Sequence, residues 1–282
     1  MEHAYFESLA RDAQCDYCAG RRQVTTLAPG LNAIYCISLQ EEPHRTIKAA
    51  AQFHALGLCR EVLFYRPIRG LHADRAIWNS HRAVAQDALA RGFARVLVLE
   101  DDVLFIQPRE TLMRRITAAL RALPSTWWGL YLGHVPIQAY FFRLNLLRVR
   151  SGCTHAYIAN APLLAWLVST PPMSPDVPMF HWIGKSIDAA MSSLPEMYAM
   201  FPMIAVQRYL GALGADALFD DQRQQGTFLD VGRWRYFFIY GAGARFAEAV
   251  AVLFSPLHWL TLEWACRRVD RVASRTATDG GA

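Results

Sequence analysis

The chain reads as an α/β protein on a mostly parallel central sheet, and three observations predict this. Short apolar runs rich in strand formers alternate with helix-compatible segments. Several of these runs are apolar at consecutive positions, as in strands buried on both faces. The composition, 53% hydrophobic and 19% charged over 282 residues, supplies a core for one large domain, with or without a helical appendage.

Residues 1–30 read as a polar lead-in that ends at the turn formers Pro29-Gly30. The run Ala33 to Ile37 is the first buried strand. Pro43 suits the first turn of the next helix, which runs to a glycine stop at Gly57. Glu61 to Tyr65 is the second strand, closed by Pro67 and Gly70. Asp74 to Arg91 predicts a helix capped by Gly92, and Val96 to Leu99 a third strand. Strand, helix, strand, helix, strand at this spacing predicts parallel strands with right-handed crossovers. Beyond them, Leu112 to Leu123 reads as a helix, Trp127 to Leu132 and His155 to Ala159 as strands, Gly184 to Leu194 as a helix, and Met197 to Phe201 as extended. The domain organisation expected is therefore a lead-in (1–30), a catalytic domain (31–210) and a C-terminal region (211–282).

Twenty-nine basic against 24 acidic residues give a net charge of +5. That surplus is mild and arginine-rich, and no dense basic run marks a nucleic-acid groove, so nucleic acid is not an expected partner. The N-terminal stretch holds acids and lacks a continuous apolar segment, which predicts a cytoplasmic chain with its six cysteines reduced. Cys15 and Cys18 form a CxxC, but no second ligand pair follows to complete a zinc site.

Ligands of parallel α/β sheets gather beyond the carboxyl ends of the strands. Glu100, Asp101 and Asp102 stand there, directly after the Val96–Leu99 run and before the apolar Val103-Leu104-Phe105. Adjacent carboxylates between apolar runs repel one another and are hard to solvate. A hard divalent cation, Mn²⁺ or Mg²⁺, offsets that charge and can bridge to a diphosphate.

Around these residues the chain resembles family 25 glycosyltransferases, which include lipopolysaccharide glycosyltransferases related to procollagen galactosyltransferases. The matching stretches are Ile34 to Leu39 with Pro43 and Arg45, then Ala76 to His81, then Val98 to Val103. Leu130 to Gly133, His155 to Tyr157, Asp188, Phe201-Pro202 and Gln207 follow in the same order. The resemblance implies a GT-A nucleotide-sugar-binding fold, a nucleotide-sugar donor, with a UDP-sugar and perhaps galactose the first to try, and hexosyl transfer with inversion. It departs from the family at Arg75-Ala76, at Gln40, where the family has aspartate, and at Ala189, where it tends to have histidine.

On this reading Asp102 is the first metal ligand, with Asp101 a second ligand or a ribose contact and Glu100 oriented towards the donor. Ser38 and Leu39 would present backbone groups to the nucleobase. Arg45, near a helix start, would meet phosphate. Ser80 and His81 belong to the donor site, His81 contacting the diphosphate or supporting the acids. An inverting transfer needs a carboxylate to take the acceptor proton, and Asp188 holds that position by resemblance.

The resemblance ends near Gln207. Residues 233–264 are dense in aromatics, interrupted by Arg245, Glu248, Pro256 and His258, so they lack the apolar length of a membrane span. Arg267, Arg268, Arg271 and Arg275 follow. This pattern predicts either helices lying on an anionic membrane surface, near lipid-linked saccharide acceptors, or a helical cap on the sheet. Two other functions compete with transfer to a glycan or lipid-linked saccharide. An aspartyl-nucleophile phosphatase would place its acids on the first strand with a threonine after them, unlike Asp101 to Leu104. A catalytically silent nucleotide-binding or membrane-associated protein of the same fold is the other.

Overall fold

The computed structural model describes residues 4–8, 28–58, 61–172 and 186–207. The CxxC and the C-terminal region 211–282 lie outside these. The strands are β1 (Tyr5–Ser8), β2 (Ala33–Ile37), β3 (Val62–Arg66), β4 (Arg95–Glu100), β5 (Val103–Phe105), β6 (Gly129–Tyr131), β7 (Val135–Arg143), β8 (Leu146–Gly152), β9 (Ala156–Asn160), β10 (Met197–Met200) and β11 (Ala205–Gln207). The helices are α1 (Pro43–Ala55), α2 (Ala73–Ala90), α3 (Arg109–Ala122), α4 (Ala161–Ser169) and α5 (Ile187–Ser192).

Nine strands form one mixed sheet in the order β1-β3-β2-β4-β9-β6-β10-β8-β7, and β5 pairs with β11 in a small second sheet. The parallel block β3-β2-β4 is the one that the alternating pattern predicts. The expected helix starts and stops also hold. Pro43 opens α1, Gly57 (φ 62°) follows its end, and Gly92 (φ 73°) follows α2.

Alternate residues of the central strands serve the two faces, as a period of two requires. Ile34, Cys36, Leu97 and Leu99 pack with Phe53 of α1 and Leu112 and Ile116 of α3. Tyr35, Val96 and Val98 pack with Trp78 and Val84 of α2 and Leu163 and Leu167 of α4. Helices thus cover both faces of the sheet.

Two differences from the sequence reading matter for the site. The lead-in is not wholly irregular, since β1 adds antiparallel to β3. More consequentially, β9 runs antiparallel between β4 and β6, pairing Leu99 with Ala156 and Leu130 with Ile158. The long β7–β8 hairpin brings the chain back to the carboxyl end of β4, so that β9 must start there and run the opposite way.

Where β6 ends, the backbone passes very close to its neighbours. A Cβ on Gly133 would lie 2.3 Å from the Ala205 carbonyl oxygen and 2.3 Å from His155 Nε2. One neighbour is backbone and the other a buried ring, so neither yields without displacing packed structure. Gly133→Ala is expected to destabilise the chain by about 1–3 kcal/mol in denaturant titration. A change within about 0.5 kcal/mol would show that this contact is not held closed.

Candidate active site

The site grows from the carboxyl ends of β2 and β4. In the parallel register Ile37 lies opposite Glu100, and the Asp101 amide donates to the Ile37 carbonyl at 3.1 Å. That bond turns the chain sharply after β4 and sets Asp101 and Asp102 beside Ser38. The Ser38 hydroxyl donates to Asp101 Oδ2 at 2.8 Å and accepts from Arg66 Nη1 at 3.0 Å. Arg66 also donates to Thr46 Oγ1. Arg45, three residues into α1, places Nη2 2.5 Å from Asp101 Oδ1 and 3.4 Å from Asp102 Oδ2. The arginine expected at a phosphate therefore bridges the two aspartates.

Gln207 completes the Asp102 side. It sits opposite Val103 in the β5–β11 pair, and its Nε2 donates to Asp102 Oδ2 at 2.8 Å. Asp102 Oδ1 is buried and has no hydrogen-bond partner among the described residues. Burial and the charge of Glu100 outweigh Gln207 and Arg45 and push the Asp102 carboxyl up to about 8. Burial also raises Asp101, against the pull of Arg45 and Ser38.

Glu100 faces a different group of residues. The Thr154 hydroxyl lies 2.9 Å from Glu100 Oε1 and 2.8 Å from Asp188 Oδ1, bridging the two carboxyls. One hydroxyl hydrogen serves only one of them at a time, so the second contact needs a proton on the other carboxyl. Burial, followed by the charge of Glu100, raises Asp188. Burial works to raise Glu100 too, but His81, His155 and Thr154 together hold it below the ordinary carboxylate range. Of the two carboxyls, Asp188 therefore holds a proton more tightly than Glu100. His81 Nε2 lies 3.5 Å from Glu100 Oε1, while its Nδ1 meets the Tyr157 hydroxyl at 2.9 Å.

The remaining expected residues lie at the margin. Ser38 uses its backbone N–H on the Tyr65 carbonyl, and the Leu39 carbonyl accepts from Glu42 in the turn into α1, so the Ser38 hydroxyl is what enters the cluster. Ser80 donates to the Ala76 carbonyl within α2. It lines a separate cavity of about 350 Å³ with Tyr65, Ile68, Leu71 and Arg75, beyond the end of β3. Thr154, Thr46 and Arg66 went unmarked in the sequence. Arg66 was within reach, because parallel pairing of Ile37 with Tyr65 puts it level with Ser38.

Among the described residues no three His, Cys, Asp or Glu side chains converge as a self-sufficient metal site. Mg²⁺ and Mn²⁺ do not require one, since such ions are commonly held by one or two carboxylates, substrate phosphates and water. The unpartnered Oδ1 of Asp102, with Asp101 beside it, fits that pattern.

No protein-family model matches the chain, and no curated protein matches it. Among solved structures it overlaps a protein from STIV at 13% identity and a TM-score of 0.37, covering 60% of this chain and 81% of that one. A glycosyltransferase involved in glycosylation of the major capsid of PBCV-1 overlaps at 12% identity and a TM-score of 0.31, covering 48% and 63%. A UDP-glucose pyrophosphorylase complexed with UDP-glucose overlaps at 9% identity and a TM-score of 0.40, covering 67% and 81%. These overlaps are loose.

Two further histidines lie buried behind the carboxylates. Burial lowers His134 to about 3 and His155 to about 4, so both are neutral in the folded chain. Unfolded histidine titrates near ~6.5, so between roughly pH 4 and 6.5 the unfolded state binds more protons. Their contribution to stability is full above that window and falls as pH drops through it, by ~2 kcal/mol per imidazole at pH 5. His155→Gln is expected to flatten the fall in melting temperature between pH 7 and 5, relative to the parent chain. Parallel pH profiles for the two proteins would contradict the neutral-imidazole assignment.

Proposed function

We propose that the chain is a metal-assisted, inverting glycosyltransferase that moves a hexosyl group from a nucleotide-sugar donor, a UDP-sugar first of all, to a glycan or lipid-linked saccharide. One observation carries the reading. Two of three consecutive carboxyls at a strand end, Asp101 and Asp102, are drawn into one polar cluster with Arg45, Ser38 and Gln207, and Asp102 keeps a buried oxygen without a hydrogen-bond partner among the described residues. Proteins rarely leave such an atom unsatisfied except where a ligand will meet it. The ordered resemblance to family 25 glycosyltransferases, which includes Glu100 to Asp102, Asp188 and Gln207, supports the same reading.

In this assignment Asp102, with Asp101, would hold Mn²⁺ or Mg²⁺, which when bound neutralises negative charge on the departing diphosphate. Arg45 is close enough to exchange a carboxylate oxygen for a phosphate oxygen, both of which suit its planar fork. The acceptor oxygen forms its bond to the anomeric carbon while the bond to the diphosphate breaks and the nucleotide leaves with the electron pair. Asp188, once deprotonated, takes the acceptor's hydroxyl proton. Its raised proton affinity moves it towards working pH, which suits a general base. Thr154 holds Asp188 in line with Glu100, whose retained charge faces the donor.

Calorimetric titration of UDP, with and without Mn²⁺, tests the donor site. Mn²⁺-dependent binding is expected in the parent chain and should vanish in Asp102→Ala. If neither protein binds UDP while folded, the UDP-sugar reading fails. Asp188→Asn should retain UDP binding and lose about a hundredfold or more in transfer rate. Full activity in that variant would move the base elsewhere.

A further inference from the structure

The turn of the β7–β8 hairpin presents four successive exposed residues, Phe141, Phe142, Arg143 and Leu144. Leu144 is 91% exposed and Phe141 50%. The two aromatic rings are nevertheless fixed from behind. Phe141 meets Phe201 edge-on at 5.1 Å, Phe142 meets Tyr198 edge-on at 5.1 Å, and the Asn145 carbonyl accepts from the Phe201 amide at 3.0 Å. Arg115 of α3 donates to the carbonyl of the next residue, Pro202, which ties the start of this segment to α3. No aspartate or glutamate occurs between Glu110 and Asp176, so the hairpin itself carries only positive charge.

The placement is as informative as the composition. The turn lies at the carboxyl end of β10, where Met200 pairs with Leu146. β10 is parallel to β6, and both β6 and β4 are antiparallel to β9. The hairpin turn and the Glu100–Asp102 cluster therefore face the same edge of the sheet.

We propose that this hairpin turn is a docking surface for an anionic lipid bilayer that turns the carboxylate cluster towards the membrane. A bilayer offers both things the surface needs: an acyl boundary for Leu144 and the phenylalanines, and anionic headgroups for Arg143. A second copy of the chain fits less well, because a two-fold contact would set Arg143 against its own equivalent. No helix among the described residues is long and apolar enough to cross a membrane, so the contact is interfacial. It rests on the transferase reading only for what the bilayer presents, which is a lipid-linked saccharide as acceptor.

The test is co-sedimentation of the full chain with phosphatidylcholine vesicles, with and without added phosphatidylglycerol. Binding is expected only with the anionic lipid. It should fall about tenfold or more in Phe142→Ser/Leu144→Ser, in Leu144→Ser alone by a smaller factor, and in Arg143→Glu. Leu144 is largely exposed and Phe142 37% exposed, and unchanged melting temperatures would show that the variants fold. Equal sedimentation of parent and variants, binding that ignores lipid charge, or no binding at all would overturn the proposal. So would a dimer that dissociates in the same variants. UDP titration separates the two readings: a chain that binds UDP but not vesicles overturns only the docking surface, and the reverse result overturns only the UDP-sugar reading.

Discussion

Three carboxyl groups held side by side at a buried strand end are the constraint around which the site is organised. In water their repulsion is modest, but between the apolar Val96–Leu99 and Val103–Phe105 runs it is not screened. The surrounding elements answer this one side chain at a time. Ser38 and Arg45 meet Asp101, Gln207 meets Asp102, and Thr154 and His81 meet Glu100. These partners come from the end of β2, the start of α1, the end of β11, the lead-in to β9 and the middle of α2. Elements far apart in sequence are thereby tied to one point. Of these three acids, Asp102 is the one with an oxygen, Oδ1, that is buried without a hydrogen-bond partner among the described residues.

The antiparallel insertion of β9 makes this arrangement possible. A purely parallel sheet would place a helix and a crossover between β4 and its neighbour. Here the chain enters β9 from Thr154 and His155 at the carboxyl edge, so those side chains arrive beside Glu100 directly, and the Glu100 amide donates to the His155 carbonyl at 2.9 Å. The close approach of Gly133 to His155 and Ala205 belongs to the same corner. There β6, β9 and the segment before β11 converge, with neutral buried imidazoles behind the charged groups.

Much of this was legible in the sequence, and the rest was not, for identifiable reasons. Continuous apolar runs and glycine stops located β2, β3, β4, α1 and α2 within a residue or so, because burial on both faces leaves a plain pattern. The strand-end rule then placed the acids at the carboxyl edge of the sheet, where they lie. The β7–β8 hairpin was not legible, since its turn, Leu144-Asn145, lacks the glycine that marks tight hairpins, and its strands contain register shifts near Pro136 and Phe141. The APLLAWLVS segment that forms α4 also passed unread, because an apolar run of nine residues does not declare its period. Thr154 was invisible for a different reason: its role depends on β9 entering from the carboxyl edge, which nothing in the local sequence specifies.

If the unanswered Asp102 oxygen is kept for a ligand, the chain without ligand carries a stability cost that function explains. Thermal melting of Asp102→Asn against the parent at neutral pH, with and without UDP and Mn²⁺, measures this most directly. Asparagine is nearly the same size and carries no charge to desolvate. The account predicts a variant that melts higher than the parent when both are ligand-free, and that gains nothing from UDP and Mn²⁺, while the parent is stabilised by them. A variant that melts lower, or one that UDP and Mn²⁺ stabilise as much as the parent, would mean that Asp102 serves the fold and not a ligand.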